Sequence, residues 1–469
     1  MEGITQKLVD FIQDIKYEDL PDEVVHEAKR VLLDSMGCAI AGLATDKGNL
    51  SVRLARRLGG PPESSIVGTK DKVSFAAAAF ANSELINALD MDAILLPGHI
   101  SPYVISAPLA IGETIASSGK DLILALAVGH EISRRLGGAL TGMFKYDKAQ
   151  GRLVEPEVHG FGFCIIGGTA ATGKILGLER EKMRHAIGIA GHIAPVPGFR
   201  KWAETPPAAM TKYTAAGWVS QAEVTASLLA DMGYTGDTSV LDGDYGFWKM
   251  FGSDKWEPET IFTELGEKWY FTETSYKPYP CCRCMQGSID SLYKIMDNNH
   301  LSHHDIDNIK VLVGPDAEKP VWRNRELTTH LDSQFSIAYV FAVAAHRVEV
   351  GADWQDLDTI TDPNILSFMN KVEFGRHPDF EKLAHQDARN MVSSIEVTAM
   401  GKTFKEEKTW AKGDSFLEEA RMSDEDLVNK FRSNTCRTLT QDKIGNAIEA
   451  VFEFQNIRNI STLLSHLSI

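Results

Sequence analysis

Four segments of the sequence each place an ionisable side chain among small or apolar neighbours. The first, NALDMDAILLPGHIS, contains Asp90, Asp92 and His99. A carboxylate within reach of an imidazole holds it in one tautomer and makes it more basic, which suits proton abstraction near neutral pH. A loop histidine with a purely structural role is an equally good interpretation of this segment taken alone.

The other three segments provide a second histidine and three cations. His159 in EVHGFGF precedes a glycine-rich segment, where a ligand can approach the backbone and a helix N-terminus favours an anion. Lys212 in AAMTKYTAAG is expected near the start of an apolar helix, where it would add to the positive dipole end; a surface lysine is the alternative. In SYKPYPCCRC two prolines stiffen the backbone that carries Lys277 and Arg283, although a positively charged loop is the simpler interpretation.

Two other motifs do not support a cofactor or metal site. Residues 168–174 have the glycine and lysine spacing of a phosphate-binding loop, but Ile175 replaces the hydroxyl that would hold magnesium, so we expect a tightly packed helix. Cys281 and Cys284 form a C-x-x-C pair beside Cys282, yet a structural zinc site needs four ligands and the chain has no second pair. No metal site is therefore predicted, and the histidine-rich NNHLSHHDID is expected to be a solvated loop.

The composition is that of a folded protein with an acidic balance. Of 469 residues, 43% are hydrophobic and 24% charged, and the formal net charge is −16. Because no lysine- or arginine-rich block offsets this charge, neither nucleic acid nor an anionic membrane is an expected partner. Six cysteines, no signal-like leader and no apolar run of about 18 residues favour a cytoplasmic protein.

The hydrophobic spacing predicts a mainly α fold. Helical patterns fill the first 270 residues and return after about residue 410, whereas 306–314 and 393–404 have strand patterns. We therefore expect a large all-helical domain formed by both chain ends, residues 1–272 and 409–469. A smaller α+β lid domain, residues 273–408, would be inserted between them.

These segments together resemble the MmgE/PrpD family, which includes 2-methylcitrate dehydratase, cis-aconitate decarboxylase and iminodisuccinate epimerase. The resemblance covers nearly the whole chain and depends on the order and spacing of several motifs. They are LLDSMGCAIAGL (32–43), ALDMD with GHIS, the glycine-rich stretch after His159, MTKYTAAG, GYTGDTSVLDGDYGF (233–247), KPYPCCR (277–283) and DSQFSIAYVFAVA (332–344).

The resemblance implies a homodimer with an active site between the two domains, and catalysis without a metal or organic cofactor. It also assigns roles to residues. The residues that it makes catalytic are Asp90, His99, His159, Lys212 and Tyr339. Those that it places at the substrate are Lys277 and Arg283.

The implied reaction passes through a carbanion or enolate next to a carboxylate of a small di- or tricarboxylate. A dehydratase or decarboxylase is the first hypothesis, an epimerase the second, and a catalytically silent binding or assembly homologue the third. The family's usual D-F-D-D-T-H run is Asp90-Met-Asp-Ala-Ile-Leu here, so Ala93 and Ile94 remove two polar groups and leave the identity of the substrate open.

Overall fold

In the computed structural model, which describes residues 3–142, 145–147 and 152–469, the fold is mainly α. No helix in this described part is long and apolar enough to cross a membrane. The helices before residue 263 are Ile4–Asp14, Asp22–Gly42, Asp46–Leu58, Phe75–Asn87, Ser101–Val104, Ser106–Thr114, Gly119–Leu140, Cys164–Leu176, Arg180–Ile193, Phe199–Ala203, Ala216–Asp231, Phe247–Met250 and Glu259–Phe262.

Several of these helices begin and end where the sequence predicts. The run opened by Pro21 forms the helix Asp22–Gly42, with acidic residues in its first turn. Gly233 follows the helix Ala216–Asp231 with a φ of 95°, a conformation that glycine adopts without strain. The phosphate-loop-like segment lies within the helix Cys164–Leu176, as expected. A Cβ atom on Gly168 would come within 1.9 Å of the buried Glu223 carboxylate, so this helix needs glycine for close packing.

A four-stranded sheet follows in the second half of the chain. Its strand order is Val372–Arg376, Ile306–Val313, Ser393–Ala399 and Lys402–Lys408; the first pair is parallel and the other pairs are antiparallel. The helices around it are Gln286–Asn298, Pro320–Arg323, His330–Phe335, Ile337–Ala345, Leu357–Ile360, Pro363–Phe368 and Phe380–Gln386. Two-residue strands Ser64–Ser65 and Lys72–Val73 pair elsewhere, as do Lys145–Asp147 and Arg152–Val154.

The prediction of one strand over 393–404 is wrong. The segment turns back at Met400 and Gly401, whose φ angles are 50° and 72°, and it forms two antiparallel strands instead. The inward positions are odd-numbered in the first strand and even-numbered in the second, where Phe404 pairs with Val397, so the alternation changes phase at the turn.

The C-terminal helices Asp424–Thr435 and Gln441–Phe452 pack against the N-terminal helix Asp22–Gly42, and Ser461–His466 packs on Gln441–Phe452. Lys430 donates to Asp34 Oδ1 at 2.6 Å and to the Met91 carbonyl at 2.7 Å, and all three groups are buried. Buried apolar side chains of both chain ends and of the sheet form one continuous cluster. The domain boundaries at 272 and 408 stay predictions.

Substitution of Gly119 tests how closely the C-terminal segment at Phe454 packs on the N-terminal helices. A Cβ atom there would lie 1.7 Å from the Phe454 carbonyl oxygen, and that backbone is held because Gly119 N donates to Ile457 O at 2.8 Å. Gly119→Ala should lower the free energy of unfolding by about 1–3 kcal/mol in urea denaturation. Gly445→Ala is the matched control: a Cβ atom there meets nothing within 4 Å, and the change should stabilise the helix by about 0.5–1 kcal/mol.

Candidate active site

The Asp90 carboxylate lies between two buried ammonium groups. Lys212 Nζ donates to Oδ1 at 2.5 Å, and Lys277 Nζ donates to Oδ2 at 2.8 Å. The Tyr213 hydroxyl donates to Oδ1 at 3.2 Å, and Lys212 also donates to the carbonyl of Asn87 at 3.1 Å. Each carboxylate oxygen therefore has its own cation, and three segments that are far apart in the sequence meet at one side chain.

The backbone conformation at this junction is unusual. Asp90 has a φ of 55° and Lys212 a φ of 50°, so both partners of one ion pair occupy the left-handed region that most side chains avoid. Lys212 lies near the start of the helix Ala216–Asp231, as expected, but in the turn that precedes it and not within the helix. The Lys277 segment is aligned with the Asp90 segment by two backbone hydrogen bonds of 2.8 Å between Ile94 and Ser275.

His99 is oriented by Asp92. Its Nδ1 lies 2.6 Å from Asp92 Oδ2, whereas its Nε2 lies 3.8 Å from Asp90 Oδ1. A carboxylate that accepts from Nδ1 fixes the proton there and leaves Nε2 as the basic nitrogen. The imidazole also stacks on the Tyr213 ring, with centroids 5.1 Å apart. The sequence paired His99 with either aspartate; the structure assigns the direct contact to Asp92.

Burial and charge act against each other in this group. Burial alone would raise the pKa of Asp90, but Lys212 and Lys277 outweigh it and hold that pKa well below its ordinary value. Burial lowers the pKa of Lys212 to about 8, although Asp90 opposes the shift, whereas the two aspartates raise the pKa of Lys277 despite burial. Burial also lowers the pKa of His99, against the attraction of Asp92, so the imidazole is neutral at pH 7.

A cavity opens in front of His99, with an empty volume of about 830 Å³ that includes its solvent-filled mouth. Polar and charged side chains line part of it, and an aromatic and apolar wall forms the rest. The lining includes Asp90, Ile94, His99, Glu155, His159, Phe161, Phe199, Tyr213, Cys282, Arg283, Cys284, Asp316, Lys319 and Trp322.

His159 and His99 lie on either side of Phe161 in this lining. The Phe161 ring meets His99 edge-on at 5.9 Å and His159 edge-on at 5.7 Å between centroids. His159 also stacks on Phe199 at 4.4 Å, and burial lowers its pKa to about 4. Gly98 allows this arrangement, because a Cβ atom there would lie 2.3 Å from the Phe161 ring. The structure therefore brings the two predicted histidines to one cavity.

Arg283 lines the same cavity with part of its guanidinium unpaired. Its Nε and Nη2 donate to Asp414 Oδ1 at 3.2 and 2.7 Å, but Nη1 is buried with no hydrogen-bond partner among the described residues. Lys319 is a further cation in the lining, where it donates to Glu155 and, at 2.8 Å, to Asp316 Oδ1. A buried donor without a partner on a lining residue gains a hydrogen bond if a ligand carboxylate reaches it.

The remaining predicted residues lie behind or away from the cavity lining. Lys212 and Lys277 contact Asp90 from behind and are not part of the lining. Tyr339 is fully buried elsewhere, and its hydroxyl donates to the Trp354 carbonyl at 2.6 Å. This geometry does not support a catalytic role for Tyr339. The hydrogen bond instead fixes the loop at Trp354.

Sequence reasoning gave no role to Lys319, Tyr213 or Phe199. Tyr213 follows Lys212 directly, so the TKY motif contained the signal. Lys319 has no such marker, because its ion pair with Glu155 joins segments that only the fold brings together, and its pair with Asp316, three residues earlier, is an ordinary local contact.

Within the described part of the chain, one group of side chains has the arrangement of metal ligands: Cys282, Cys284 and Asp316. All three line the cavity. Cys281 is turned away from them, fully buried, and its sulfur accepts from Gln286 Nε2 at 3.3 Å. The sequence pair Cys281–Cys284 is therefore not the pair of neighbouring thiols; that pair is Cys282 and Cys284, with sulfurs 3.5 Å apart.

Comparison with known proteins gives two family matches and several full-length relatives. The sequence model of the MmgE/PrpD N-terminal domain matches residues 6–259, and that of the MmgE/PrpD C-terminal domain matches residues 279–453. Cis-aconitate decarboxylase of Aspergillus terreus is 26% identical over 81% of this chain and 80% of its own length. The cis-aconitate decarboxylases of Homo sapiens and Mus musculus are each 24% identical, over 100% and 99% of this chain and 95% and 93% of their own lengths.

The shared carboxylate predicts a large and pH-dependent stability effect. Asp90→Asn leaves two buried ammonium groups without their counter-charge, which should lower the free energy of unfolding at pH 7 by about 3–5 kcal/mol. Because the pKa of Asp90 is lowered in the folded state, its stabilisation is present above the unfolded pKa of about 3.9 and is lost as pH falls below it. Urea denaturation from pH 7 to 3.5 should show the difference between wild type and variant shrinking.

Asp231→Asn is the control for that measurement. Asp231 pairs with Lys182 at 2.8 Å on the surface, where both side chains are more than two-fifths exposed. Its loss should change stability by less than about 1 kcal/mol. Equal effects of the two substitutions would mean that Asp90 does not hold the two lysines together.

Proposed function

The chain belongs to the MmgE/PrpD family, and we propose that it is a lyase that decarboxylates or dehydrates a small di- or tricarboxylate. The observation that carries the proposal is His99: it lines the cavity, and Asp92, 2.6 Å from its Nδ1, leaves Nε2 as the basic nitrogen. This is the geometry of a general acid–base group. The relatives named cis-aconitate decarboxylase make cis-aconitate the first compound to test.

His99 serves either reaction. In dehydration, neutral Nε2 takes a proton from the carbon next to a carboxylate, and the electron pair forms the double bond as hydroxide leaves. In decarboxylation, His99 first takes a proton from solvent; the bond to the departing carboxylate then breaks, CO₂ leaves, and the imidazolium gives that proton to the carbon that keeps the electron pair. Asp92 favours the imidazolium in both reactions, because it accepts from Nδ1.

Substrate carboxylates would bind to donors that the protein leaves unpaired. Two residues of the lining carry such donors: Arg283 Nη1 and Trp322 Nε1 are buried and have no hydrogen-bond partner among the described residues. A charge-assisted hydrogen bond from a guanidinium to a carboxylate is stronger than one between neutral groups. Lys319 adds positive charge at the same wall, although it shares that charge with Glu155 and Asp316.

Lys212 and Lys277 would act through Asp90 as positioning residues. They fix the carboxylate that lies 3.8 Å from His99 Nε2, and Tyr213, which also contacts Asp90, stacks on the imidazole. The network thereby sets both the place and the electrostatic surroundings of the reacting nitrogen. This role replaces the direct substrate contact that the resemblance suggested for Lys277.

The reaction class is tested by incubating the protein with cis-aconitate, citrate, 2-methylcitrate and iminodisuccinate in D₂O and following each by NMR. Decarboxylation gives a product with one carbon less and deuterium at one carbon. Dehydration gives an alkene without carbon loss. Unchanged spectra for the whole panel would leave the third hypothesis, a silent binding homologue.

His99 and Asp92 give the sharpest kinetic prediction. His99→Ala should lower kcat by about 10²–10⁴-fold with a small change in KM, because binding groups remain. Asp92→Asn removes the charge that favours the imidazolium, so it should lower kcat and move the His99-dependent limb of the pH–rate profile to lower pH. Steady-state kinetics from pH 5 to 9 measure both effects.

His192→Ala is the matched control, since His192 is an exposed histidine outside the cavity lining. Its kcat should equal that of wild type. A folded His99→Ala variant with near-normal kcat would remove His99 from the mechanism and transfer the proposed role to His159.

Arg283→Lys separates binding from chemistry. Lysine keeps a charge for Asp414 but loses the free Nη1–H, so KM should rise by about tenfold or more, which corresponds to one charge-assisted hydrogen bond, with less effect on kcat. Arg56→Lys, on an exposed pair with Asp71, should change neither constant. An unchanged KM in a stably folded Arg283→Lys variant would exclude Nη1 as a substrate donor.

An epimerase is the second candidate, and one observation favours it. His99 and His159 flank Phe161 in one cavity, so two imidazoles could exchange protons with opposite faces of one carbon. Deuterium entering a stereocentre without loss of carbon or water would identify this activity. The homodimer and the cytoplasmic location stay predictions.

A further inference from the structure

Cys282 and Cys284 place two thiols side by side in the cavity wall. Their sulfurs are 3.5 Å apart, and a tetrahedral zinc ion with Zn–S bonds of about 2.3 Å requires a separation of about 3.8 Å. The Asp316 carboxylate approaches both sulfurs from another loop, with all three ligand atoms within 4.8 Å of one another. Small side-chain movements would bring these atoms to bonding distance of one ion.

The backbone around the thiols is fixed before any ion arrives. Cys282 N donates to the Gln334 carbonyl at 3.0 Å, and Met285 N donates to the Cys282 carbonyl at 3.2 Å in a short 3₁₀ turn. Arg283, between the two cysteines, is held by Asp414 on the other side. Ligands fixed in this way lose little conformational entropy on binding an ion.

Asp316 can still bind a cation although one of its oxygens is already in an ion pair. Lys319 contacts its Oδ1 at 2.8 Å and also binds Glu155, so the ammonium is shared between two carboxylates. A carboxylate can accept from an ammonium with one oxygen and bind a cation with the other. The set of two sulfurs and one oxygen suits a thiophilic divalent ion, and the fourth position would open into the cavity.

We propose that Cys282, Cys284 and Asp316 form an accessory site for a thiophilic divalent cation such as Zn²⁺ in the wall of the cavity. Binding exchanges the two thiol protons for the ion, so each ion bound releases up to two protons to solvent. The three ligands leave one coordination position for water or an anionic ligand. The site is separate from His99 and its aspartate, and the proposal does not depend on the reaction that the cavity performs.

Cobalt(II) titration of the reduced full-length protein without oxygen tests the site directly. Binding should saturate at one Co²⁺ per chain, with the thiolate-to-cobalt charge-transfer absorption, and Zn²⁺ should displace it. Cys282→Ser and Cys284→Ser should each weaken binding by about tenfold or more and reduce that absorption. Asp316→Asn should weaken binding but keep the absorption, because both sulfurs remain.

Two variants serve as controls in the same titration. Cys436→Ser removes the exposed thiol, and His346→Ala disrupts the histidine cluster whose His303 and His346 rings stack at 4.1 Å. Neither change should alter the thiolate absorption or the affinity. Wild-type protein without this absorption would overturn the proposal, as would absorption that survives in the double variant Cys282→Ser/Cys284→Ser.

A second measurement on the wild type avoids any question of variant folding. Zn²⁺ should slow the alkylation of Cys282 and Cys284 by iodoacetamide, followed by peptide mass spectrometry, and leave the rate at Cys436 unchanged. Equal rates at Cys282 and Cys284 with and without Zn²⁺ would contradict the site.

Discussion

One carboxylate, Asp90, holds the candidate active site together. Its two oxygens each accept from a buried lysine, and these lysines come from segments more than 120 and 180 residues away. Removing three charges from water is unfavourable unless the geometry is close and the polar atoms are satisfied. Here both ammonium groups are within 2.8 Å of the carboxylate, and Tyr213 and a backbone carbonyl provide further hydrogen bonds. The left-handed backbone at Asp90 and Lys212 is maintained by this network.

His99 has its own aspartate. Its Nε2 lies 3.8 Å from Asp90 Oδ1, beyond hydrogen-bonding distance, and Asp92 makes the close contact at Nδ1 instead. With neutral His99, two lysines and two aspartates balance in charge. His99 Nε2 therefore lies beside buried charges that sum to zero, and a proton on this imidazole is stabilised mainly by Asp92.

The sequence predicted the residue types of the site better than their partners. Helical periodicity and capping signals located the helix Asp22–Gly42 and the stop at Gly233, because those features depend on neighbouring residues. Asp90, His99, His159 and Arg283 were identified and do line one cavity. Three features depend on long-range packing or on a φ angle, which no local pattern encodes. They are the place of Lys212 before its helix, the hairpin at Met400 and the contact of Tyr339 with Trp354.

Because the buried lysines are already paired with carboxylates, they contribute little free positive charge to attract an anionic ligand. The chain has a net charge of −16, and the Debye length at physiological salt is about 8 Å, so distant acidic groups neither steer nor strongly repel a ligand inside the cavity. Lys212, Lys277 and Lys319 already bind carboxylates, which leaves local donors such as Arg283 Nη1 to distinguish one polycarboxylate from another. Ile94 lines the same cavity, and its side chain offers a substrate no hydrogen bond. The usual motif of the MmgE/PrpD family has a polar residue at this position. Under the proposed function, specificity would depend on the unpaired donors of the lining, Arg283 Nη1 and Trp322 Nε1, and on the shape of an aromatic and aliphatic wall. A carboxylate that needs a donor beside Ile94 would find none on that side chain.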